Sequence, residues 1–303
     1  MRRLKSIVYG SRWAATVAWL IGLTALVGWA FLPTLEAAAE RWSNDPQYSH
    51  GYLVPFFSAA LLYLRRHACD PATFAPSLFG FVLLAAGVAM RWVGVHYHYN
   101  GIDPLALVPT MAGAFVIVGG WPALRWAWPS VGFLVFMVPL PFRLQTVLSG
   151  QLQRLATDMS TYILQTLGLP AVAEGNVILI DQVRIGVVAA CSGLGMIVTC
   201  AAISAGVSLL IRAPLWVKAA LLLGAIPVSI ATNVVRITAM GVLSHADHRE
   251  TAQAVYHDLA GWLMMPIAVL LIGVELFILR RLVVRPELGP EDLDPLPLTG
   301  LPA

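Results

Sequence analysis

The chain has 303 residues, of which 58% are hydrophobic and 12% charged, whereas soluble domains carry about 45–50% apolar and about 25% charged residues. This composition excludes a disordered chain, a collagen-like fibre and a disulfide-rich secreted scaffold, and it argues against a soluble enzyme, because so few charges could not cover its surface. The formal net charge of +3 gives no reason to expect a nucleic-acid partner. From the high share of apolar residues we expect one polytopic bundle in the lipid bilayer.

The first predicted membrane span runs from Trp13 to Leu32, after an N-terminus with four basic residues, Arg2, Arg3, Lys5 and Arg12. A cleaved signal peptide is the alternative, since Ala37-Ala38-Ala39 resembles a cleavage site. The apolar run of about 20 residues is longer than the usual apolar region of a signal peptide, about 7–15 residues. The length therefore favours a retained span.

Seven further apolar runs predict spans, which makes eight in all; they lie at about 51–64, 77–95, 104–120, 126–140, 191–211, 214–243 and 259–279. With the N-terminus inside, twelve of the nineteen basic residues fall on the inner side. Because positive residues favour the cytoplasmic side of a membrane, we expect both termini inside. The predicted fold is an all-α integral membrane bundle over residues 1–285, followed by a disordered cytoplasmic tail at 286–303, which is rich in Pro, Glu and Asp.

The stretch between Pro141 and Cys191 is not a span. Residues 144–167 place apolar side chains at three- and four-residue spacings, which predicts an amphipathic helix at the outer membrane interface. Two short runs rich in Val and Ile follow, Asn176–Ile180 and Gln182–Val188, and they meet at Asp181. We expect a small β-hairpin there.

Three reactive side chains fall at one level of this topology. Cys191 begins a span from the outside, Arg236 lies near the outer end of the next span, and His257 begins the last span. Three consecutive antiparallel helices would thus present a thiol, a guanidinium and an imidazole near the same membrane face.

Together these groups can carry out acyl transfer. An imidazole can take the proton of a thiol, and both a guanidinium and a helix N-terminus favour the thiolate that results. Attack of Cys191 on a peptide carbonyl would give a thioester, and His257 could protonate the leaving amine. Arg236 would stabilise the oxyanion or orient the substrate, and Gly193 with Gly195 would let a substrate backbone approach closely.

Each residue also has a purely structural interpretation. A Cys in an apolar segment usually packs as a small hydrophobic residue, Arg236 could extend to the interface as an anchor, and His257 could be an interfacial hydrogen-bonding residue. Cys200 lies in mid-span and is interpreted as packing, and Cys69 as incidental. His96, His98 and Asp103 form a weak metal pattern, so no metal and no cofactor are expected.

The motifs around these residues resemble those of the exosortase/archaeosortase family. The likeness lies in Ala190-Cys191-Ser192-Gly193, in Asn233-Val234-Val235-Arg236 and in His257 followed by Gly261. The segments from Trp42 through His50 to Val54 and Glu174–Ile178 are also similar to family motifs. The likeness covers about 42–279, and Gly195 departs from the larger residue that we expect there in many relatives.

The resemblance implies a membrane cysteine protease or transpeptidase of the bacterial inner membrane, with its active site facing the periplasm. Cys191, Arg236 and His257 match the nucleophile, the arginine and the histidine of the family. The implied partners are membrane-anchored proteins with a C-terminal sorting signal of the PEP-CTERM kind, made of a Pro-containing motif, an apolar helix and a basic cluster. Contacts to that substrate are expected from four residues of the matching motifs, His50, Ser192, Gly193 and Asn233.

Two other classes of protein fit the same bundle. A transporter could line its pathway with Arg236, and broken helices near the bilayer centre would favour it; Ile226-Pro227 predicts such a break. A non-catalytic membrane scaffold for envelope or polysaccharide assembly is the third class.

Overall fold

The computed structural model describes residues 2–97, 101–187, 193–245 and 260–282. They are mostly helical and form two compact units, Met1–Pro141 and Phe142–Pro297. The first unit contains helices α1 Arg2–Ala30, α2 Leu32–Asn44, α3 Leu53–Leu64, α4 Phe79–His96, α5 Ile102–Leu105 and α6 Leu107–Phe133. Short 3-10 helices lie between them at Pro46–Tyr52, Arg66–Ala68, Pro71–Thr73 and Leu134–Met137.

The second unit begins with one long helix, continues with a small sheet and ends with three helices. Its elements are α7 Phe142–Thr166, β1 Ala171–Glu174, β2 Val177–Ile180, β3 Val183–Gly186, α8 Leu194–Leu210, α9 Leu215–His245 and α10 Ala260–Leu282. The sheet is antiparallel in the order β1-β2-β3. Within the part of the chain that the structure describes, three helical stretches are long and apolar enough to cross a membrane, or four if the bent pair α1 and α2 is one span.

The first predicted span ends at a sharp bend. Helices α1 and α2 meet at Phe31 at an angle of 67°, and Pro33 lies in the first turn of α2, where proline lacks the N–H that would continue the hydrogen-bond ladder. The carbonyl of Ala30, the last residue of α1, accepts a hydrogen bond of 2.6 Å from Arg91 of α4. The bend, which the sequence did not predict, is therefore held by a side chain from elsewhere in the same unit.

Helix α6 folds back on itself at Gly120. This glycine has φ +69° and lies against the carbonyl of Ala75, so a Cβ there would collide with that oxygen. Phe115, before the break, packs in one cluster with Ala127 and Val131, after it. On a straight helix Phe115 and Val131 would be about 24 Å apart, so the two arms must run back to back. The position of this reversal agrees with the predicted separation of the runs 104–120 and 126–140.

The amphipathic helix predicted at 144–167 is present as α7, but its apolar side chains do not form the packed face. The buried face consists of small and hydroxyl-bearing residues together with one leucine, Ser149, Ala156, Thr157, Ser160, Thr161 and Leu164. Leu155, Met159 and Tyr162 are exposed. Small side chains let helices approach closely, and they allow Ser160 Oγ to lie 3.5 Å from the carbonyl of Val234 on α9.

The predicted hairpin is confirmed, with one strand more than the sequence indicated. Strands β2 and β3 pair antiparallel around a turn in which Asp181 has φ +50°. The additional strand, β1, pairs with β2, and Gln165 of α7 donates a hydrogen bond of 2.8 Å to the carbonyl of Ala171 at its start. The sheet packs on α7 and α9 through a buried cluster that contains Ile178, Ile180 and Ile237.

The break predicted at Ile226-Pro227 is wrong. Helix α9 continues through Pro227 from Leu215 to His245. Beside the proline, the hydroxyl of Ser229 donates a hydrogen bond of 2.7 Å to the carbonyl of Ile226. Side-chain hydroxyls of this kind satisfy backbone groups near a proline inside an apolar helix.

Helices α8, α9 and α10 share a buried core, in which Cys200 of α8 contacts a cluster with Ala225 of α9 and Ala268 of α10. Cys200 is fully buried there, which confirms its interpretation as a packing residue. Gly224 of α9 lies directly against the carboxylate of Glu275 on α10. These contacts show which residues of the three helices lie side by side: Cys200 beside Ala225, and Gly224 beside Glu275.

Candidate functional site

Four of the seven predicted site residues lie in the part of the chain that the structure describes. Gly193, Asn233 and Arg236 belong to the second unit, and His50 belongs to the first. Cys191, Ser192 and His257 lie outside the described residues.

Helix α9 presents Asn233 and Arg236 one turn apart. Asn233 is 2% exposed, and its Oδ1 accepts a hydrogen bond of 2.6 Å from a terminal nitrogen of the Arg236 guanidinium. Arg236 itself is half-buried. A bond between an amide oxygen and a cation is charge-assisted and strong, so Asn233 fixes the direction of the guanidinium.

The same asparagine lies against the start of α8. Gly193, the residue before α8, has φ +83°, and a Cβ placed on it would be 3.1 Å from the Asn233 Nδ2 atom. Glycine is the residue that adopts this backbone conformation without strain, and its missing side chain makes room for the amide. Asn233 therefore packs on the backbone next to Ser192 and at the same time orients Arg236.

The register of α8 against α9 places Arg236 near the beginning of α8. Gly193 lies opposite Asn233, and Cys200 shares a cluster with Ala225, so the two helices run antiparallel. Arg236 follows Asn233 on α9, beyond the level of Gly193. It therefore lies toward the end of α8 from which the chain continues back to the segment that contains Cys191.

The small sheet borders this region through Asn176, a residue that the sequence analysis placed in a motif without giving it a role. Its Nδ2 donates a hydrogen bond of 2.7 Å to Gln153 of α7. Its carbonyl accepts a hydrogen bond of 2.7 Å from the amide of Val187, four residues before Cys191. The signal that could have revealed it is the turn sequence Gly175-Asn176 between two β-type runs.

His50 lies in the 3-10 helix of the first unit and is 6% exposed. Its Nε2 is 3.2 Å from the carbonyl oxygen of Phe136; because a carbonyl can only accept, Nε2 carries the proton. In the same place Trp42 donates a hydrogen bond of 3.3 Å to the carbonyl of Met137. These bonds attach the segment that precedes α3 to the end of the second arm of α6.

The residues of the weak metal pattern have other partners. Asp103 accepts a hydrogen bond of 2.7 Å from Thr34 and lies 3.7 Å from the Arg91 guanidinium, and His96 stacks on Trp92. His98 lies outside the described residues. Among the residues with a described placement, no group of three or more His, Cys, Asp or Glu side chains could hold a metal ion.

The apolar helices, the bent pair and the folded-back helix define a multi-pass membrane protein. Comparison with known families then identifies its family: the model described as Transmembrane exosortase (Exosortase_EpsH) matches residues 42–274, more than half of the chain. The chain therefore belongs to the transmembrane exosortase family, as its motifs indicated. No curated protein and no solved structure matches it.

Proposed function

We propose that this chain is a membrane-embedded cysteine transpeptidase that cleaves proteins with a C-terminal sorting signal of the PEP-CTERM kind. Cys191 is the nucleophile, His257 transfers the protons and Arg236 stabilises negative charge. The observation that carries the proposal is the oriented, half-buried guanidinium of Arg236. It lies within residues 42–274, the range that matches the exosortase family.

Chain connectivity supports the placement of the thiol. Cys191 is two residues before Gly193, so its Cα lies within about 7 Å of the Gly193 Cα. Gly193 in turn lies against Asn233, which binds Arg236. The guanidinium and the positive end of the α8 dipole would both favour the thiolate form of a cysteine in this position.

The register of the last helix supports the placement of the histidine. Gly224 of α9 lies against Glu275 of α10. From that level α9 rises about 18 Å to Arg236, and α10 rises about 22 Å back to Ala260. Both helices thus reach the same end of the bundle, and His257 is only three residues before Ala260.

The proposed reaction has two halves. His257 takes the proton of the Cys191 thiol, the sulfur attacks the carbonyl carbon of the scissile peptide bond, and the oxyanion that forms is stabilised by Arg236. The C–N bond then breaks, His257 gives its proton to the leaving amine, and a thioester remains on Cys191. Water or an amine then attacks the thioester carbonyl carbon, the C–S bond breaks, and His257 passes the acceptor's proton to the sulfur of Cys191. The cleaved protein leaves with a free carboxyl end if water is the acceptor, or joined to the acceptor by an amide if an amine is.

Four residues are proposed to bind or align the substrate, His50, Ser192, Gly193 and Asn233. Gly193 offers a backbone that a peptide can approach closely. Asn233 and His50 are both buried, which favours alignment of their neighbours over direct contact with the substrate. For Asn233 that neighbour is Arg236.

The proposed topology has eight spans in the bacterial inner membrane, with both termini in the cytoplasm and residues 142–190 on the periplasmic side. Residues 1–285 would form the catalytic membrane domain, and 286–303 a cytoplasmic tail. The exposed apolar side of α7 supports a position at the membrane interface. Reporter fusions at Arg65, Gln182 and Arg285 should read inside, outside and inside, and a cytoplasmic signal at Gln182 would contradict the site.

Substrate processing tests the mechanism. The chain is co-expressed with a membrane protein that ends in a Pro-containing motif, an apolar helix and a basic cluster, and loss of the C-terminal segment is followed on a gel. Cys191→Ser should abolish cleavage, and His257→Ala should reduce it by about 10²–10⁴-fold. Cys200→Ser and Cys69→Ser are the matched controls and should retain cleavage. A transporter or scaffold would be indicated if Cys191→Ala leaves processing at the wild-type rate.

A further inference from the structure

The first unit carries a groove between α1, α3 and α6, which we call the Arg66 groove. It has a volume of about 710 Å³ and is lined mainly by apolar side chains, including Leu20, Ile21, Leu62, Phe115 and Trp126. Arg66 is the one charged residue among its described lining residues, and it lies just after α3, at one end of the groove. Arg236, the proposed catalytic residue whose placement the structure describes, is not among the described lining residues.

The length of the groove corresponds to one leaflet of a bilayer. On α1 the lining extends from Thr16 to Ala25, which is about 14 Å along a helix. The hydrocarbon core of a bilayer is about 30 Å thick, so one leaflet contributes about 15 Å. A spanning helix would need the full thickness, whereas an acyl chain of a single lipid occupies one leaflet.

The rim at Arg66 is held in a defined geometry. Arg65 donates a hydrogen bond of 3.1 Å from Nε to the carbonyl of Trp126, and the Trp126 indole donates one of 2.8 Å to the carbonyl of Arg65. This reciprocal pair joins the end of α3 to the second arm of α6. Beside it, the Arg66 guanidinium lies 3.9 Å from the centre of the Tyr63 ring and donates a hydrogen bond of 2.9 Å to the Tyr63 carbonyl.

Arg66 supplies positive charge at the rim of the groove, and no acidic side chain is among the described lining residues. A planar guanidinium pairs with the oxygens of a phosphate through two N–H groups.

We infer that the Arg66 groove binds an anionic phospholipid, with the phosphate at Arg66 and one acyl chain along α1. Two apolar groups could occupy the groove, the acyl chain of a lipid or the apolar helix of the proposed substrate, and charge favours the lipid. The proposed substrate helix ends in a basic cluster, which would meet Arg66 with the same sign of charge, whereas an anionic headgroup complements it. The lipid site does not depend on the proposed peptidase reaction.

Photo-crosslinking of the full chain tests this inference. The protein is reconstituted into phosphatidylcholine nanodiscs with a trace of phosphatidylglycerol that carries a diazirine in its acyl chain, and labelled peptides are mapped by mass spectrometry. Label should appear on residues of the groove such as Leu62 and Trp126. Unlabelled phosphatidylglycerol should compete at least about tenfold better than phosphatidylcholine. Both headgroups contain a phosphate, but the choline ammonium cancels its charge, whereas phosphatidylglycerol keeps the net negative charge that complements Arg66.

A charge reversal with a matched control completes the experiment. Arg66→Glu should reduce labelling of the groove at least about tenfold, while Arg281→Glu should not, although Arg281 also stacks on an aromatic ring near a helix end. Equal competition by the two lipids on the wild-type chain would overturn the inference whether or not the variants fold. Displacement of the label by a spanning peptide with a basic end, in excess phosphatidylglycerol, would overturn it in favour of a protein partner.

Discussion

Replacement of Asn233 by leucine tests whether its amide orients Arg236 for the proposed reaction. Leucine has nearly the same shape as asparagine, so it fills the space beside Gly193 but cannot accept the 2.6 Å hydrogen bond from Arg236. A hydrogen bond to a charged group contributes about 1.5–3 kcal/mol. If that contribution holds the guanidinium where the oxyanion forms, kcat/KM for the sorting-signal substrate should fall by about 10- to 100-fold, since each 1.4 kcal/mol is a factor of ten.

The assay measures cleavage of a co-reconstituted substrate at matched amounts of folded enzyme. Thr232→Val is the control, because Thr232 is fully buried on the same helix and its hydroxyl donates a hydrogen bond of 2.8 Å to the Val228 carbonyl. This variant removes a buried hydroxyl without touching Arg236, and it should cleave at close to the wild-type rate. Wild-type kcat/KM in Asn233→Leu would refute the positioning role of Asn233.

Three further substitutions or measurements follow from the geometry. Arg236→Lys should lose most processing, because an ammonium has no planar fork; nearly full processing in this variant would mean that Arg236 is only an interfacial anchor. Gly193→Ala should destabilise the fold by about 1–3 kcal/mol, because a φ of +83° is strained for a residue with a Cβ. Gly150→Ala is the control and should not destabilise the fold, because a Cβ there meets open space on α7. Equal unfolding midpoints of the two variants would contradict this prediction. Burial, and to a smaller extent Asp70, raises the pKa of the Cys69 thiol. Maleimide labelling of Cys69 at neutral pH should therefore be slower than that of an exposed cysteine peptide, and it should accelerate as the pH rises. A labelling rate with the same pH dependence as that of the exposed peptide would contradict this prediction.

The sequence predicted those features that depend on local chemistry. The predicted apolar runs 51–64, 77–95 and 214–243 end within about two residues of the ends of α3, α4 and α9. The amphipathic pattern at 144–167 predicted α7. The turn at Asp181 separated two β-type runs correctly, because Asp tolerates the left-handed conformation that the structure assigns to it. Cys200 was interpreted as packing because it lies in mid-span, and it is fully buried.

Features that depend on long-range partners could not be predicted in this way. The bend at Phe31 is held by Arg91, which is 61 residues from Ala30 in the chain, and the sequence around the bend reads as an ordinary span end. Strand β1 is too short to show a period, and it exists because β2 pairs with it and Gln165 holds its first residue. The sequence analysis also assigned no packed face to α7, because that face depends on contacts with α9 and the sheet. In a membrane, small residues pack and apolar residues can face outward.

The Pro227 interpretation was wrong because a proline inside an apolar helix removes one N–H without having to end the helix, and α9 continues through Pro227. For the site, the motifs predicted which residues belong together, and the structure adds the Asn233 amide between Gly193 and Arg236. That contact joins residues 40 positions apart, so spacing alone did not indicate it.

The most direct test of the cysteine mechanism is to trap the acyl-enzyme. The full chain is incubated with a substrate that carries the sorting signal, quenched in acid, and the mass of the peptide that contains Cys191 is measured with and without hydroxylamine. The account predicts a covalent adduct of the cleaved substrate on Cys191 that hydroxylamine releases, since hydroxylamine cleaves thioesters, and its absence in Cys191→Ala. Cleavage of the substrate at the wild-type rate by Cys191→Ala, with no adduct on the wild-type chain, would contradict the account.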